Sequence, residues 1–225
     1  MKYSTLFLDL DNTLLDFNKA EEVAVKRVLG EFSLPCDDTA VKTYSEINRS
    51  YWERFERGEI PKSDIFEGRF ITFTKHYEVV ANTAEISKKY CEYLSEGYFT
   101  VDGTFEILDY LKEKGYKLYA TTNGFSFTQH RRVKESGLLP YFDAVFVSED
   151  INHQKPEKEY FDCVIEKISE KNREKMLIIG DSQSSDILGG INSSIDTCWF
   201  NPKKASPKYD SKYEIHTLEE LKNLL

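Results

Sequence analysis

Residues 5–13 read TLFLDLDNT, a short apolar run that ends in two aspartates, Asp9 and Asp11. The apolar part has the pattern of a β-strand that is buried on both faces of a sheet. Residues two positions apart in an extended chain point to the same side, so we expect the two carboxylates to meet where the sheet edge opens to solvent. Two like charges that close together are costly unless a cation or a shared proton relieves them. The stretch therefore predicts a metal site, a nucleophile, or both, with two solvated aspartates at a strand end as the alternative.

The length and composition of the chain indicate a main domain with a smaller insertion. Its 225 residues carry a formal net charge of −9 and include no basic run, so nucleic acid is not an expected partner. No apolar stretch approaches the ~20 residues of a membrane span, and the N-terminus has no signal-peptide pattern. No CxxC pair occurs, which argues against a zinc or disulfide framework and favours a reducing, cytoplasmic location. The widely spaced cysteines are Cys36, Cys91, Cys163 and Cys198.

A long helical region follows the first strand. Apolar residues recur at helical spacing from Phe17 to Leu29, and further helices are predicted at about 39–57, 63–79 and 84–99. Many aromatic residues here lie three or four positions apart, which is typical of the core of a small bundle. A stacking role against a substrate is the alternative for one or two of the rings. The aromatic residues are Tyr44, Tyr51, Trp52, Phe55, Phe66, Phe70, Phe73 and Tyr77.

From Asp102 the pattern changes to strands that alternate with helices. Residues 126–129, Ser-Phe-Thr-Gln, are predicted to form a capping box at a helix start. The alternation predicts an α/β protein with a three-layer, doubly wound parallel sheet built from residues 1–15 and 100–225. After the first strand, further strands are expected at 116–121, 144–147, 176–179, 197–200 and 213–215, and a last helix at 218–225.

Polar residues follow each of the first four predicted strands, at the edge where open α/β sheets bind ligands. The ordered set suits phosphate chemistry, because it combines carboxylates, a hydroxyl and a lysine. Its members are Asp9 and Asp11 after the first strand, Thr122-Asn123-Gly124 after the second, Lys155 before Pro156 after the third, and Gly180-Asp181 with Asp186 after the fourth.

This set resembles the four motifs of the haloacid dehalogenase-like hydrolase superfamily, and the resemblance covers the full length. It implies a Rossmann-like core with residues 16–99 as an inserted helical cap, hinged near residues 13–17 and 99–104. It also implies a phosphomonoester hydrolase that works through an aspartyl-phosphate. Asp9 is the implied nucleophile, and Asp11 is the implied general acid and base.

The resemblance further implies a Mg²⁺ site, held by the carboxylates of Asp9 and Asp181 and by the backbone carbonyl of Asp11. Asp186 is expected to orient Asp181 or a bound water. For the phosphate, Thr122 is expected to donate a hydrogen bond, helped by the backbone at Asn123 and Gly124, and Lys155 to supply positive charge. Gly124 is also expected to permit a tight turn, and Ser182, Ser184 or Ser185 to cap the next helix.

The substrate is suggested by finer features. Asp11 separates the chain from the dehalogenase branch, which does not carry this acid/base aspartate. Residues 11–17, 122–125 and 136–138, ahead of 141–143, resemble the bacterial pyrimidine 5′-nucleotidase branch, which implies nucleoside monophosphates as small-molecule substrates. The alternatives are a sugar-phosphate or phosphoglycolate phosphatase, a phosphomutase of the same superfamily, and a non-catalytic phosphate-binding or phospho-acceptor module. The sequence does not predict an oligomeric state.

Overall fold

Six strands form one sheet within residues 2–225, which the computed structural model of the chain describes. All of them pair in parallel, in the order β3-β2-β1-β4-β5-β6. The strand order runs outward from β1 and β4 in opposite directions, so the ligand crevice is expected at their carboxyl ends. The strands are β1 (Thr5–Asp9), β2 (Lys117–Thr122), β3 (Ala144–Val147), β4 (Met176–Gly180), β5 (Asp196–Phe200) and β6 (Tyr213–Ile215).

Helices connect the strands and supply the remaining described regular structure. The α-helices are α1 (Phe17–Glu31), α2 (Asp38–Glu56), α3 (Lys62–His76), α4 (Thr83–Leu94), α5 (Thr104–Glu113), α6 (Ser126–Glu135), α7 (Ser148–Ile151), α8 (Lys158–Lys167) and α9 (Leu188–Ser193). Shorter 3₁₀ turns occupy Leu139–Tyr141, Arg173–Lys175 and Leu218–Asn223, and a π-helical turn at Gln183–Ile187 leads into α9.

The two central strands are buried along their whole length, because helices cover both faces of the sheet. Leu6 and Leu8 lie in one apolar cluster, together with Leu108 of α5. Phe7 points the other way, into a second cluster with Phe161 of α8. This alternation confirms the predicted three-layer α/β fold and explains why β1 reads as a continuous apolar run.

The chain divides into two compact units, one from the residues up to Asp16 with Thr100–Leu225 and one from Phe17–Phe99. The first contains the sheet. The second consists of α1–α4 around an apolar core in which the ring centroid of Tyr44 lies 4.9 Å from that of Phe70 and 5.4 Å from that of Tyr90. Of the predicted core aromatics, four are buried and the others are partly exposed. The buried ones are Tyr44, Phe55, Phe70 and Phe73.

The helical unit also buries a polar cluster that the sequence pattern did not indicate. Asn48 donates from its amide to Glu21 at 2.6 Å and accepts from the Arg69 guanidinium at 2.9 Å. All three side chains are at most 5% exposed. Burial raises the pKa of the Glu21 carboxyl, and hydrogen bonds from Ser45 and Asn48 oppose that change. The bundle therefore contains a desolvated charge that is stabilised by bonding to its neighbours.

Element bounds differ from the sequence prediction mainly at helix ends. Helix α4 ends at Leu94 instead of 99, and the last predicted helix is a 3₁₀ turn that begins with a capping box between Thr217 and Glu220. None of the described helices combines the length and apolar character that crossing a membrane requires. The four cysteines are free thiols.

Candidate active site

The carboxyl ends of β1, β2 and β4 lie side by side, since Asp9 pairs in register with Thr121 of β2, and Leu8 pairs with Ile179 of β4. Each of these strands is followed by one of the polar segments that the sequence singled out. The topology thus brings the first, second and fourth segments to one edge of the sheet. Lys155, in the loop between α7 and α8, reaches the same place with its side chain.

Lys155 lies at the centre of this cluster. Its ammonium donates to Asp9 Oδ1 at 2.8 Å, to Asp186 Oδ1 at 2.7 Å and to the carbonyl oxygen of Thr121 at 3.0 Å. An ammonium has three N–H donors, so these contacts use its full capacity. The residue is only 1% exposed. Burial alone would lower its pKa, but Asp186 and Asp9 outweigh that effect and raise the pKa above its ordinary value.

Asn123 fixes the backbone that carries Lys155. Its side-chain amide donates to the Lys155 carbonyl at 2.7 Å and accepts from the Lys155 N–H at 2.9 Å. This two-way pair joins the end of β2 to the loop after α7. The side chain of Asn123 is thus engaged with protein backbone, and its predicted part in phosphate binding rests on its own backbone N–H.

Three buried or partly buried carboxylates lie beside Lys155. Asp9, Asp181 and Asp186 each place a carboxylate oxygen within 4.8 Å of the others. Burial and the Asp186 carboxylate raise the pKa of Asp9 to about 7, although Lys155 opposes the change. Burial, followed by the carboxylates of Asp9 and Asp186, also raises the pKa of Asp181 well above its usual range. The cluster therefore contains more negative charge than one lysine offsets.

The donor set fits a hard divalent cation. Asp186 accepts from Lys155 on one oxygen and from the Ser182 N–H at 3.1 Å on the other, so both of its oxygens are engaged. Among residues 2–225, no hydrogen-bond donor contacts the Asp181 carboxylate, which leaves it available as a metal ligand. An all-oxygen set with few protein ligands is typical of Mg²⁺ sites, where water and substrate oxygens complete the coordination. Asp181 is therefore the carboxylate best suited to bind the ion, and Asp9 and Asp186, whose oxygens also accept hydrogen bonds, lie beside it.

Glycine at position 180 makes the approach of Asp186 possible. A Cβ atom at Gly180 would lie 2.2 Å from Asp186 Oδ2. Ser182, two residues later, accepts a hydrogen bond on Oγ from the N–H of Ser185 at 3.2 Å. Of the three serines predicted as possible caps, Ser182 is therefore the one that caps the following helical turn.

Thr13 orients the expected nucleophile. Its hydroxyl donates to Asp9 Oδ2 at 3.0 Å and accepts from the Asp181 N–H at 3.1 Å. Thr13 is fully buried. Its place in the DLDNT stretch was noted from the sequence, but its bridging position between the ends of β1 and β4 was not.

Asp11 points to a different set of partners from Asp9. Its carboxylate forms an ion pair with the guanidinium of Arg132 on Oδ1, and it accepts from Gln129 Nε2 at 2.6 Å on Oδ2. The Asp11 side chain is 28% exposed, whereas that of Arg132 is 1% exposed. Asp9 and Asp11 therefore have separate hydrogen-bond partners, because Asp11 lies beyond the end of β1 and is held by α6, while the Asp11 charge still contributes to the raised pKa of Asp9.

The predicted capping box at residues 126–129 is wrong. Ser126 is the first residue of α6, and the N-cap residue before it is Phe125, whose side chain makes no capping hydrogen bond. Ser126 instead donates to Asp150, and its backbone N–H donates to Glu149. Gln129 turns toward Asp11 and Thr122 rather than back to the helix start.

The backbone bends at Gly124, but the need for glycine there comes from the space beside it. Its backbone φ lies outside the left-handed region, but a Cβ atom there would lie 2.3 Å from Gln129 Nε2 and 2.6 Å from Gln129 Cδ. Glycine at this position therefore gives Gln129 the space that it occupies. Neither Gln129 nor Arg132 was identified from the sequence, and the only available signal was their spacing of three residues on the helix after Thr122.

Comparison with known proteins places these residues in a family context. Residues 6–200 match the model for the haloacid dehalogenase-like hydrolases. The pyrimidine 5′-nucleotidase PynA of Streptococcus pneumoniae (strain ATCC BAA-255 / R6) is 35% identical over 227 residues, which cover 100% of this chain and 96% of PynA. The pyrimidine 5′-nucleotidase YjjG of Escherichia coli (strain K12) is 29% identical over 227 residues, which cover 98% of each chain.

Solved structures give the same picture. The structure of the Bacillus subtilis HAD-hydrolase YfnB bound to magnesium superimposes with a TM-score of 0.94 at 40% sequence identity, over 100% of this chain and 99% of that one. The fold is thus shared with a relative whose crystal contains the cation that the donor set favours.

Proposed function

Because the chain belongs to the haloacid dehalogenase-like hydrolase family and is a phosphatase, we propose that it hydrolyses nucleoside 5′-monophosphates, with pyrimidine nucleotides preferred. The observation that carries the chemistry is the buried Lys155, which holds Asp9 at the edge of an acidic cluster. The substrate class is supported by the similarity to PynA and YjjG, two pyrimidine 5′-nucleotidases, over nearly the whole chain.

The proposed reaction has two displacements at phosphorus. Asp11 enters the reaction protonated, with the proton taken from solvent. A carboxylate oxygen of Asp9 attacks the phosphorus, the ester P–O bond breaks, and Asp11 transfers that proton to the departing 5′-oxygen. The products of this step are an aspartyl-phosphate and the free nucleoside. Asp11, now a carboxylate, then takes a proton from a water molecule that attacks the phosphorus, which releases inorganic phosphate and regenerates Asp9. Dividing the hydrolysis in this way replaces one difficult step with two easier ones.

The remaining residues bind and orient the phosphate. The hydroxyl of Thr122 donates to a phosphoryl oxygen, and the backbone N–H of Asn123 lies next to it in sequence. The Gly124 N–H, which was also expected to help, donates instead to Thr122 Oγ1 at 3.0 Å. Lys155 favours the ionised form of Asp9 and fixes the direction of its carboxylate, because it donates to Asp9 and Asp186 together. Its charge also reduces the repulsion between the acidic cluster and an anionic substrate.

Mg²⁺ is the proposed cofactor. The carboxylates of Asp9 and Asp181 and the backbone carbonyl of Asp11 would hold it, with Asp186 beside them. When bound, Mg²⁺ supplies positive charge that offsets the carboxylates and stabilises the charge of the transferring phosphoryl group. The fit of the donor set and the magnesium in the YfnB crystal support this assignment.

We assign the unit Phe17–Phe99 as the cap that selects the leaving group, since its four helices are inserted between the first and second site segments. A cytoplasmic location is part of the proposal and agrees with the four free thiols. The substrates would then be small, water-soluble phosphate monoesters.

Removal of the metal is expected to abolish hydrolysis. In an excess of EDTA the cluster of Asp9, Asp181 and Asp186 repels an anionic phosphate, so turnover of p-nitrophenyl phosphate should stop and should return with added Mg²⁺. Mg²⁺ should also raise the melting temperature of the chelated protein, because it relieves repulsion among the carboxylates. Asp181→Asn should weaken both effects, whereas Asp210→Asn, an exposed control, should not. Turnover that is insensitive to the chelator would contradict the metal assignment.

A substrate screen tests the nucleotide assignment. We expect kcat/KM for UMP, CMP and dTMP to exceed that for AMP, glyceraldehyde 3-phosphate and phosphoglycolate by roughly tenfold or more, the discrimination that a shaped pocket provides. Release of inorganic phosphate should equal substrate consumption. A preference for sugar phosphates would replace the nucleotide assignment but retain the phosphatase, and transfer of phosphate to a second sugar hydroxyl would indicate a mutase.

A further inference from the structure

We propose that Arg132 and Gln129 are positioning residues that hold the Asp11 carboxylate in its working orientation, and that Gln129 links Asp11 to the phosphate-binding hydroxyl of Thr122. The proposal rests on the proposed function, in which Asp11 transfers the proton. It adds two residues of α6 to the proton-transfer and phosphate-binding apparatus.

The contact between Arg132 and Asp11 joins a buried charge to a more accessible one. The Arg132 guanidinium is buried, and its NH1 atom donates both to Asp11 Oδ1 and, at 3.2 Å, to the side-chain oxygen Oε1 of Gln129. Burying a guanidinium is costly unless carboxylate and hydrogen-bond partners compensate for the lost water. The compensating carboxylate here is the residue that the mechanism needs for proton transfer. The ion pair therefore holds Asp11 against a rigid helix.

Gln129 engages Asp11 and Thr122 through one atom. Its Nε2 donates to Asp11 Oδ2 at 2.6 Å and to Thr122 Oγ1 at 2.7 Å. A primary amide has two N–H donors, so both are used. Each Asp11 oxygen thus has its own donor, and the plane of the carboxylate is fixed by two contacts instead of one.

The same amide determines the direction of the Thr122 hydroxyl. Thr122 Oγ1 accepts from Gln129 Nε2 and also from the Gly124 N–H at 3.0 Å. A hydroxyl has two lone pairs and one proton, so two incoming donors leave its O–H free to donate. A phosphoryl oxygen is an acceptor, and Thr122 is thereby set to bind it. Gln129 consequently orients both the Asp11 carboxylate, which transfers the proton, and the Thr122 hydroxyl, which binds the phosphate.

An independent observation supports the role of Gln129. The amide fits only because residue 124 is glycine, since a Cβ there would lie 2.3 Å from Nε2. Gln129 and Arg132 are three residues apart on α6, which places them on the same face of the helix. The helix α6, the space at Gly124 and the ion pair with Arg132 all favour a single orientation of the Asp11 carboxylate. General acid catalysis requires such placement, because the donor must lie within hydrogen-bond reach of the leaving oxygen.

The dependence of the rate on the leaving group tests the proposal. An acid contributes most when the leaving group is a poor one, such as the ribose oxygen of UMP, and least for p-nitrophenolate. We expect Arg132→Met to lower kcat/KM for UMP by about 10²-fold, in the range of general acid catalysis, but that for p-nitrophenyl phosphate only a few-fold. Arg132→Lys should fall between Arg132→Met and the wild type. Lys134→Met, an exposed change on the same helix, should leave both constants unchanged.

The ratio of the two constants is measured on one preparation, so partial unfolding of a variant cancels. Gln129→Met provides a second route, and it should lower the same ratio and also raise KM, since Thr122 loses a partner. If Arg132 acts through Asp11, Arg132→Met should have no further effect on p-nitrophenyl phosphate in an Asp11→Asn background.

Two results would overturn the proposal: an equal loss on both substrates, or an unchanged UMP rate in Arg132→Met. An additive loss in the double variant would do so too, because it would show that Arg132 acts independently of Asp11. Failure of the proposed function itself looks different, since the wild type would then hydrolyse neither substrate, or would hydrolyse p-nitrophenyl phosphate but not UMP.

Discussion

Replacement of Asp9 by asparagine is expected to reduce phosphatase activity by roughly 10⁴-fold or more, the scale seen when a covalent nucleophile is removed. An amide oxygen is a poor nucleophile, and the variant also loses a charged metal ligand. The fold should persist, because Asn has the same shape as Asp and Lys155 retains Asp186 and the Thr121 carbonyl as acceptors. The measurement is release of phosphate from UMP and from p-nitrophenyl phosphate in Mg²⁺.

Stability separates loss of chemistry from loss of structure in this experiment. Burial and Asp186 raise the pKa of Asp9, which means that the charged form is costly in the folded state. The neutral asparagine should therefore melt no lower than the wild type when both are measured in EDTA. Asp210→Asn serves as the matched control and should keep full activity. Retention of normal turnover by Asp9→Asn would refute the assignment of Asp9 as the nucleophile.

The positions of the main site residues were predictable because parallel strands place their carboxyl ends together. Asp9 and Thr122 are the last residues of β1 and β2, Asp181 directly follows β4, and Lys155 lies in the loop after β3 and α7. Sheet topology converts that order along the chain into proximity in space. The helical unit was recognisable for a similar reason, because its core aromatics recur at helical spacing.

The partners of Asp11 were not predictable from local sequence. Gln129 fits a capping-box pattern, in which the glutamine bonds back to the helix start, and the pattern alone gives no sign of a competing acceptor. In the folded chain, Asp11 and Thr122 are the competing acceptors for the Gln129 amide, and Gly124 leaves the space that the amide occupies. Arg132 is a charged residue on a helix, and from the sequence such a residue is expected to face solvent. Only tertiary packing, which buries its guanidinium against Asp11, distinguishes it from its exposed neighbours.

The buried cluster in the helical unit was missed for the same reason. Glu21, Asn48 and Arg69 lie on three different helices, with no motif that connects them along the chain. Charged residues on amphipathic helices are expected to face water. Asn48, which accepts from Arg69 and donates to Glu21, makes their burial possible, and such a bridge is visible only after the helices are packed.

Replacement of Lys155 by methionine is expected to have the largest effect on stability and to reduce activity about as severely as Asp9→Asn. Removing one partner of a buried ion pair costs about 3–5 kcal/mol, because the remaining charge is left without compensation. In this protein two carboxylates, Asp9 and Asp186, lose the same partner. Urea unfolding in EDTA at several pH values gives the free energy of unfolding, with Lys158→Met as the control. Lys158 forms an exposed pair with Asp162, so its loss should cost under about 1 kcal/mol.

The pH dependence of Lys155→Met distinguishes lost charge compensation from lost packing. A carboxyl whose pKa is higher in the folded than in the unfolded chain binds more protons when folded, so stability falls as pH rises between the two pKa values. The pKa of Asp9 is already raised to about 7 in the presence of Lys155, and removal of the lysine should raise it further. The difference in stability between variant and wild type should therefore be small near pH 5 and largest near pH 8, and Mg²⁺ should reduce it. A loss that is constant across this range would show that the methionine disrupts packing and that compensation of Asp9 and Asp186 is not the main role of Lys155.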